Sequence, residues 1–167
     1  RCEQFREALC IVEVPVALRS ATADLLIDDD SQSIISDEVP AVSHIATRLS
    51  DEEEVWSALT MGLGDYVRKN GFTSVALGLS GGIDSALVAT IAVDALGKAN
   101  VVGVSLPSKY SSAHSLSDAK QLAENLGIDY RVVEIEPVVQ SYLSATTLTG
   151  IAEENVQARV RGSLLMG

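Results

Sequence analysis

Gly78-Leu79-Ser80-Gly81-Gly82-Ile83-Asp84-Ser85 joins a short apolar run, Val75 to Leu79, to a segment with helical apolar spacing at residues 84–96. A junction of that kind leaves backbone N–H groups unpaired at the positive end of a helix dipole, which makes it an anion site. Gly81 and Gly82 let the backbone approach a phosphate with no Cβ in the way, and Ser80 and Ser85 add hydroxyl donors. The loop has neither the GxxxxGK[ST] pattern, with its lysine beside the serine, nor GxGxxG. Asp84 is the informative departure. A carboxylate among phosphate oxygens is repelled unless a hard cation lies between them, so Asp84 predicts Mg²⁺ bridging carboxylate and nucleotide. An acid in the first turn of a helix is also favourable without any ligand; the two glycines before it favour the site.

Outward from the loop the pattern alternates. Val75 to Leu79 lacks polar alternation, as expected of a parallel strand covered on both faces. The helix after it stops at Gly97, and Val101 to Ser105 reads as a second strand. Residues 115–126 read as a helix, with Ser115 and Asp118 in a capping arrangement and Gly127 ending it. Tyr130 to Ile135 reads as a third strand, Glu136-Pro137 opens a short helix, and residues 152–166 form a last helix with Val156, Val160 and Leu164 in one row. Upstream, Ser50 and Glu53 match a capping box before a helix that runs to Asn70 and Gly71. Strands spaced by helices of this length make βαβ units with right-handed crossovers, so the expected class is α/β, a Rossmann-like parallel sheet with helices on both faces.

The first fifty residues have a different character. Residues 8–18 form an apolar run broken by Pro15, suited to a short strand, and residues 19–50 have the composition of a linker, including Asp28, Asp29 and Asp30. The net charge is −11, and residues 1–74 hold 14 acidic against 6 basic side chains, so most of the excess lies there. With no Lys/Arg cluster, nucleic acid and anionic membrane are not expected partners. No run approaches a membrane span and no signal peptide is evident. Cys2 and Cys10 show no metal-ligand spacing and suit a reducing cytoplasm, the expected location. The chain opens at Arg1 without methionine, and both ends look cut.

The segment SGGIDS resembles the signature loop of the pyrophosphate-loop ATPases, which split ATP between the α and β phosphates and adenylate a carboxylate or carbonyl oxygen. Two further segments narrow the resemblance. Leu106 to Ser112 (LPSKYSS) is similar to the (M/L)PSxYSS segment of glutamine-dependent NAD synthetases, and Glu153 to Gly162 (EENVQARVRG) is similar to their EENxQARxRG helix. The three occur in the family's order from about Asp51 to the last residue. Residues 1–16 resemble, more weakly, the end of the nitrilase-like glutaminase domain that precedes the synthetase. The resemblance thus implies three parts: that remnant over 1–16, a linker over 17–50, and the first half of the ATP-pyrophosphatase domain over 51–167, truncated at its C-terminus.

What the resemblance implies is ATP-dependent amidation of deamido-NAD through an acyl adenylate, with AMP and pyrophosphate released. ATP and Mg²⁺ are the expected cofactors, ammonia or glutamine the nitrogen source, and a homo-oligomer the expected state of the intact enzyme. Gly78 to Ser85 are expected to bind ATP, Asp84 the metal, and Ser111, Ser112, Asn155, Arg159 and Arg161 the substrate; no protein nucleophile is required. Ser111 and Ser112 follow a strand end on the ligand side of a parallel sheet, where they also suit capping of the next helix. At 100° per residue Arg159 lies about 60° from the row led by Val156 and Arg161 about 140° away, so Arg159 is expected to be the buried anion contact and Arg161 to face solvent or an interface. Outside the family match Lys109 is an ordinary loop lysine, and His44 and His114 carry no assigned role. Neither cysteine matches the glutaminase nucleophile, so this chain by itself is expected not to release ammonia from glutamine; with the second half of the synthetase domain missing, it is also expected not to make NAD when ammonia is supplied. Another pyrophosphate-loop ligase, such as GMP synthetase, and a non-catalytic adenine-nucleotide-binding module are the alternatives.

Overall fold

The computed structural model describes residues 2–9, 45–109 and 111–167. The expected strand over 8–18, Cys10, most of the linker, His44 and Tyr110 therefore lie outside the described residues. The chain divides into two units, Arg1–Asp51 and Glu52–Gly167. In the first, the described residues form no regular element before Asp51. The second carries the fold.

Helix α1 (Asp51–Lys69) begins one residue after Ser50, where the sequence asks for a cap. Its far end closes through Phe72 N–H on the Val67 carbonyl at 3.0 Å and Gly71 N–H on the Arg68 carbonyl at 3.0 Å, with Gly71 at φ 76° supplying the left-handed turn. Strand β1 (Val75–Gly78), helix α2 (Ile83–Leu96), strand β2 (Val101–Ser105), helix α3 (Ala113–Leu126) and strand β3 (Asp129–Val132) follow, then α4 (Glu136–Ala145) and α5 (Ile151–Met166). The sheet is parallel with order β1-β2-β3, in register Val75↔Val101 and Val102↔Asp129. The expected α/β class with a parallel Rossmann-like sheet is the observed one.

Successive right-handed crossovers in one direction lay both connecting helices on the same face. There Leu79 and Val101 pack with Ala89 and Ala92 of α2 and Ala119 and Ala123 of α3. The alanines let the helices sit close to the strands. The other face is covered by α4 and α5, where Leu106, Ile135, Val139 and Val160 are buried together. Burying one such aliphatic side chain is worth about 1.5–3 kcal/mol. Helix α1 joins through Leu63, which packs against the first cluster, and through Trp56 Nε1–H, which donates to Asp94 Oδ2 at 2.9 Å. Among the described residues no helix is long and apolar enough to cross a membrane.

Two boundaries differ by more than one residue from the sequence expectation. The third strand stops at Val132 rather than Ile135. Val133 N–H still donates to the Ser105 carbonyl at 2.9 Å and Ile135 N–H to the Pro107 carbonyl at 3.2 Å; the chain keeps following the exit of β2 while it turns into α4. Helix α3 begins at Ala113, and its cap is Ser112, whose Oγ accepts from Ser115 N–H at 3.1 Å. Ser115 with Asp118 matched a cap by spacing, but Ser112 offers the same chemistry one turn earlier and wins an extra turn of helix.

Candidate nucleotide-binding site

The C-terminal end of β1 is held on both sides of one residue. Leu79 N–H donates to the Val104 carbonyl at 2.8 Å, and Ser105 Oγ donates to the Leu79 carbonyl at 2.9 Å. Ser105 is 2% exposed and accepts in turn from the Tyr130 hydroxyl at 2.9 Å. Gly103, the β2 partner of Leu77, lies under the Leu79 side chain, and any Cβ there would run into it. A glycine inside β2 thus makes room for the residue that enters the loop.

Past Leu79 the chain turns through Gly81, at φ 79° and against the backbone of Ser115. Gly82 is the N-cap of α2 and offers no side chain to it, so the first amides of the helix are left for a ligand or for the loop's own hydroxyls. Ser85 Oγ donates to the Gly82 carbonyl at 2.9 Å and accepts from Ser80 N–H at 3.3 Å. Ser80 Oγ accepts from Gly82 N–H at 3.2 Å. A hydroxyl has one proton, and that of Ser85 is committed to Gly82, so Ser80 is the donor in the 3.2 Å contact between the two hydroxyls. Two serines therefore occupy the amides that an anion would use. Asp84 stands exposed in the first turn of α2. No group of three or more His, Cys, Asp or Glu side chains gathers among the described residues. One exposed carboxylate suits Mg²⁺, which is bound through one or two carboxylates together with substrate phosphates.

Beside the loop opens a cavity of about 420 Å³, bounded by Gly78 and Ser80 from the β1 end, Ser105 and Pro107 from β2, Ser115 from α3 and Arg161 from α5. A second hollow of about 510 Å³ lies between Ser108, Glu153, Gln157 and Arg161. Ser111 and Arg161 border both. Lys109 Nζ reaches Glu153 Oε1 at 3.2 Å, tying the loop after β2 to the start of α5.

The structure brings the expected residues together unevenly. Gly78, Leu79, Ser80, Ser111 and Arg161 border the first cavity, while Gly81, Gly82, Ile83, Asp84 and Ser85 form the adjoining loop and helix start. Ser112 is spent on capping α3. The expected order of the two arginines is reversed: Arg159 is exposed beside exposed Asn155, whereas Arg161 is half-buried and its Nε–H donates to the Leu106 carbonyl at 3.1 Å. The buried side of α5 includes Gln157, 6% exposed, as well as Val160, and Leu165 packs with them while Leu164 does not. The row Val156, Val160, Leu164 is thus one margin of the packed face, whose middle lies nearer Arg161. Ser105, Tyr130 and Ser115 were missed. A serine ending an otherwise apolar strand on the ligand side of a parallel sheet was the available signal.

A parallel α/β sheet with a glycine- and serine-rich loop from its first strand to a helix, opening on a cavity at the strands' carboxyl ends, is the architecture of a nucleotide-binding domain. The chain belongs to the NAD synthase family, whose model matches residues 55–167. It is 48% identical over 142 residues to the glutamine-dependent NAD(+) synthetase of Synechocystis, a match covering 81% of this chain and 25% of that protein. The glutamine-dependent NAD+ synthetase of Acinetobacter baumannii, solved with ADP, superposes with a TM-score of 0.72 at 42% identity over 74% of this chain and 24% of that one. An NMN synthetase from Francisella tularensis has a TM-score of 0.65 at 31% identity over 71% of this chain and 50% of that one. The chain spans about a quarter of the length of the first of these relatives.

Proposed function

We propose that this chain supplies the ATP-binding part of an enzyme that amidates deamido-NAD to NAD, with ammonia drawn from glutamine in the full protein. In this reading residues 51–167 are the first half of the synthetase domain, 17–50 a linker, and 1–16 the remnant of a glutaminase domain. A carboxylate oxygen of the pyridine ring attacks the α phosphorus of ATP, the bond to the β phosphate breaks, and pyrophosphate leaves. Ammonia then attacks the acyl carbon, the bond to AMP breaks, and a proton is lost from nitrogen. The observation that carries the reading is the loop itself: a helix start with no side-chain cap, two glycines, and two amides held only by exchangeable serine hydroxyls, beside a cavity at the end of β1. That a relative was solved with ADP supports nucleotide binding by a protein of this fold.

The chain's own residues act by position and charge. Ser80 and Gly82 amides, released from the serine hydroxyls, take the oxygens of the departing pyrophosphate, and such fixed dipoles are the largest contribution expected in transfers of this kind. Arg161 borders both hollows and brings a fixed positive charge to where nucleotide and second substrate would meet. Asp84 would hold Mg²⁺, which when bound offsets charge on the phosphates.

The test is pyrophosphate release by the full-length protein of which this chain is a part, with ATP, magnesium and ammonia, supplying deamido-NAD, nicotinate mononucleotide or xanthosine monophosphate in turn. Release with deamido-NAD alone is expected. Preference for the mononucleotide would move the chain toward the activity named for the Francisella relative; release with xanthosine monophosphate would point to another ligase of the group, and release with none would leave a binding module. Asp84→Asn is expected to bind ATP with much reduced dependence on magnesium. Unchanged magnesium dependence would remove Asp84 from the metal site.

A further inference from the structure

Ser80 N–H and the Leu79 carbonyl belong to one peptide group. Peptide planarity makes them point in opposite directions, so whatever fixes the carbonyl aims the amide. In this chain the carbonyl does not take the next backbone bond of the ladder. It accepts instead from Ser105 Oγ at 2.9 Å, because β2 ends at Ser105 and its chain leaves toward Pro107. Ser105 is buried and has one proton to give, so the Tyr130 hydroxyl at 2.9 Å is its donor. The result is a one-way series across all three strands, from Tyr130 on β3 through Ser105 on β2 to the carbonyl of Leu79, with Ser80 N–H emerging on the loop side.

We propose that Tyr130 and Ser105 are positioning residues that aim and strengthen the Ser80 amide toward a bound pyrophosphate group. An amide whose carbonyl accepts a hydrogen bond is a stronger donor at its nitrogen, and each link in a series polarises the next. The Ser105 hydroxyl is committed to the Leu79 carbonyl and that of Tyr130 to Ser105, so the pair acts through the Leu79–Ser80 peptide. The inference rests on the nucleotide-site reading above, and its test separates the two.

Inorganic pyrophosphate and AMP, each with magnesium, are titrated calorimetrically into the full chain and its variants, and the thermal transition is recorded for each. Wild type is expected to bind both probes. Ser105→Ala is expected to weaken pyrophosphate binding by about five- to tenfold, the scale of one lost hydrogen bond, and Tyr130→Phe by less, with AMP affinity unchanged in both. Because the links are in series, the double variant is expected to bind no worse than Ser105→Ala alone. Ser105→Thr, which keeps a hydroxyl, restores binding. Should Ser105→Ala fail to fold, Tyr130→Phe carries the test, since it removes a hydroxyl and no backbone contact. Unchanged pyrophosphate affinity in Tyr130→Phe and Ser105→Ala overturns the inference, as does an equal loss for AMP and pyrophosphate or additive losses in the double variant. A wild type that binds neither probe overturns the site reading itself, and this inference with it.

Discussion

Gly81 and Gly82 are adjacent and chemically identical, yet the fold asks different things of them. Gly81 sits at φ 79°, and a Cβ there would fall on the backbone of Ser115. Gly82 has φ −88°, where any residue is at ease, and a Cβ there would meet only Ser80 Oγ at 3.3 Å. Gly81→Ala is therefore expected to cost about 1–3 kcal/mol of stability, from the strained conformation alone, with more from displacement of α3. Gly82→Ala is expected to keep the stability of the parent while crowding a bound phosphate. Denaturant unfolding and ATP titration on the pair check both. Equal stability losses would mean that the loop relaxes away from Ser115. The sequence reads the two glycines together as a phosphate-approach pair, but it has no means of telling which one bears the positive φ, because that follows from the neighbour α3 happens to place there.

At the level of elements, legibility tracked how directly each signal depends on the chain's own neighbours. Val75–Gly78 and Val101–Ser105 are continuous apolar runs next to glycines, and both appear as strands where the pattern puts them. The last helix is legible as a helix, but its buried face is not, since the burial of polar Gln157 and the turning of Leu165 inward depend on what packs against the helix rather than on its own apolar row. The consequence is testable on the two arginines. Arg161→Ala loses a partly buried, charge-assisted bond to Leu106 and is expected to lower stability by about 1.5–3 kcal/mol, while Arg159→Ala, on the exposed face, is expected to stay within about 0.5 kcal/mol. Chemical denaturation measures both. A larger loss for Arg159→Ala would return the helix to the face its apolar row suggested. The position of Ser105 at a strand end is legible, but its pairing with Tyr130 is not, for a related reason: the bond joins residues 25 apart, and no local pattern announces it.

For the whole molecule, β1 pairs only with β2 among the described residues, so one side of the strand that leads into the loop has no hydrogen-bonded neighbour. Helix α2 adds to this, with Leu87 and Val88 about half exposed although Ala89 and Ala92 of the same helix are buried. Unpaired strand edges and apolar helix faces promote association. The chain on its own is accordingly expected to self-associate, to bind ATP weakly and to release no pyrophosphate with deamido-NAD and ammonia. Sedimentation and a direct pyrophosphate assay test this, and a monodisperse, active monomer would show that the site is complete within these residues. The strand order carries a consequence for biosynthesis as well. Because β1, β2 and β3 stand in the sheet in the order in which a ribosome would deliver them, each new strand finds its partner already made, one crossover behind it. Domains fold as units during synthesis, N-terminal parts first, and here the phosphate loop would be framed before Arg161 has been translated. Ribosome-arrested chains should then become protease-resistant around β1 once β3 has emerged; resistance that waits for α5 would mean that the last helix, rather than the sheet, closes the nascent fold.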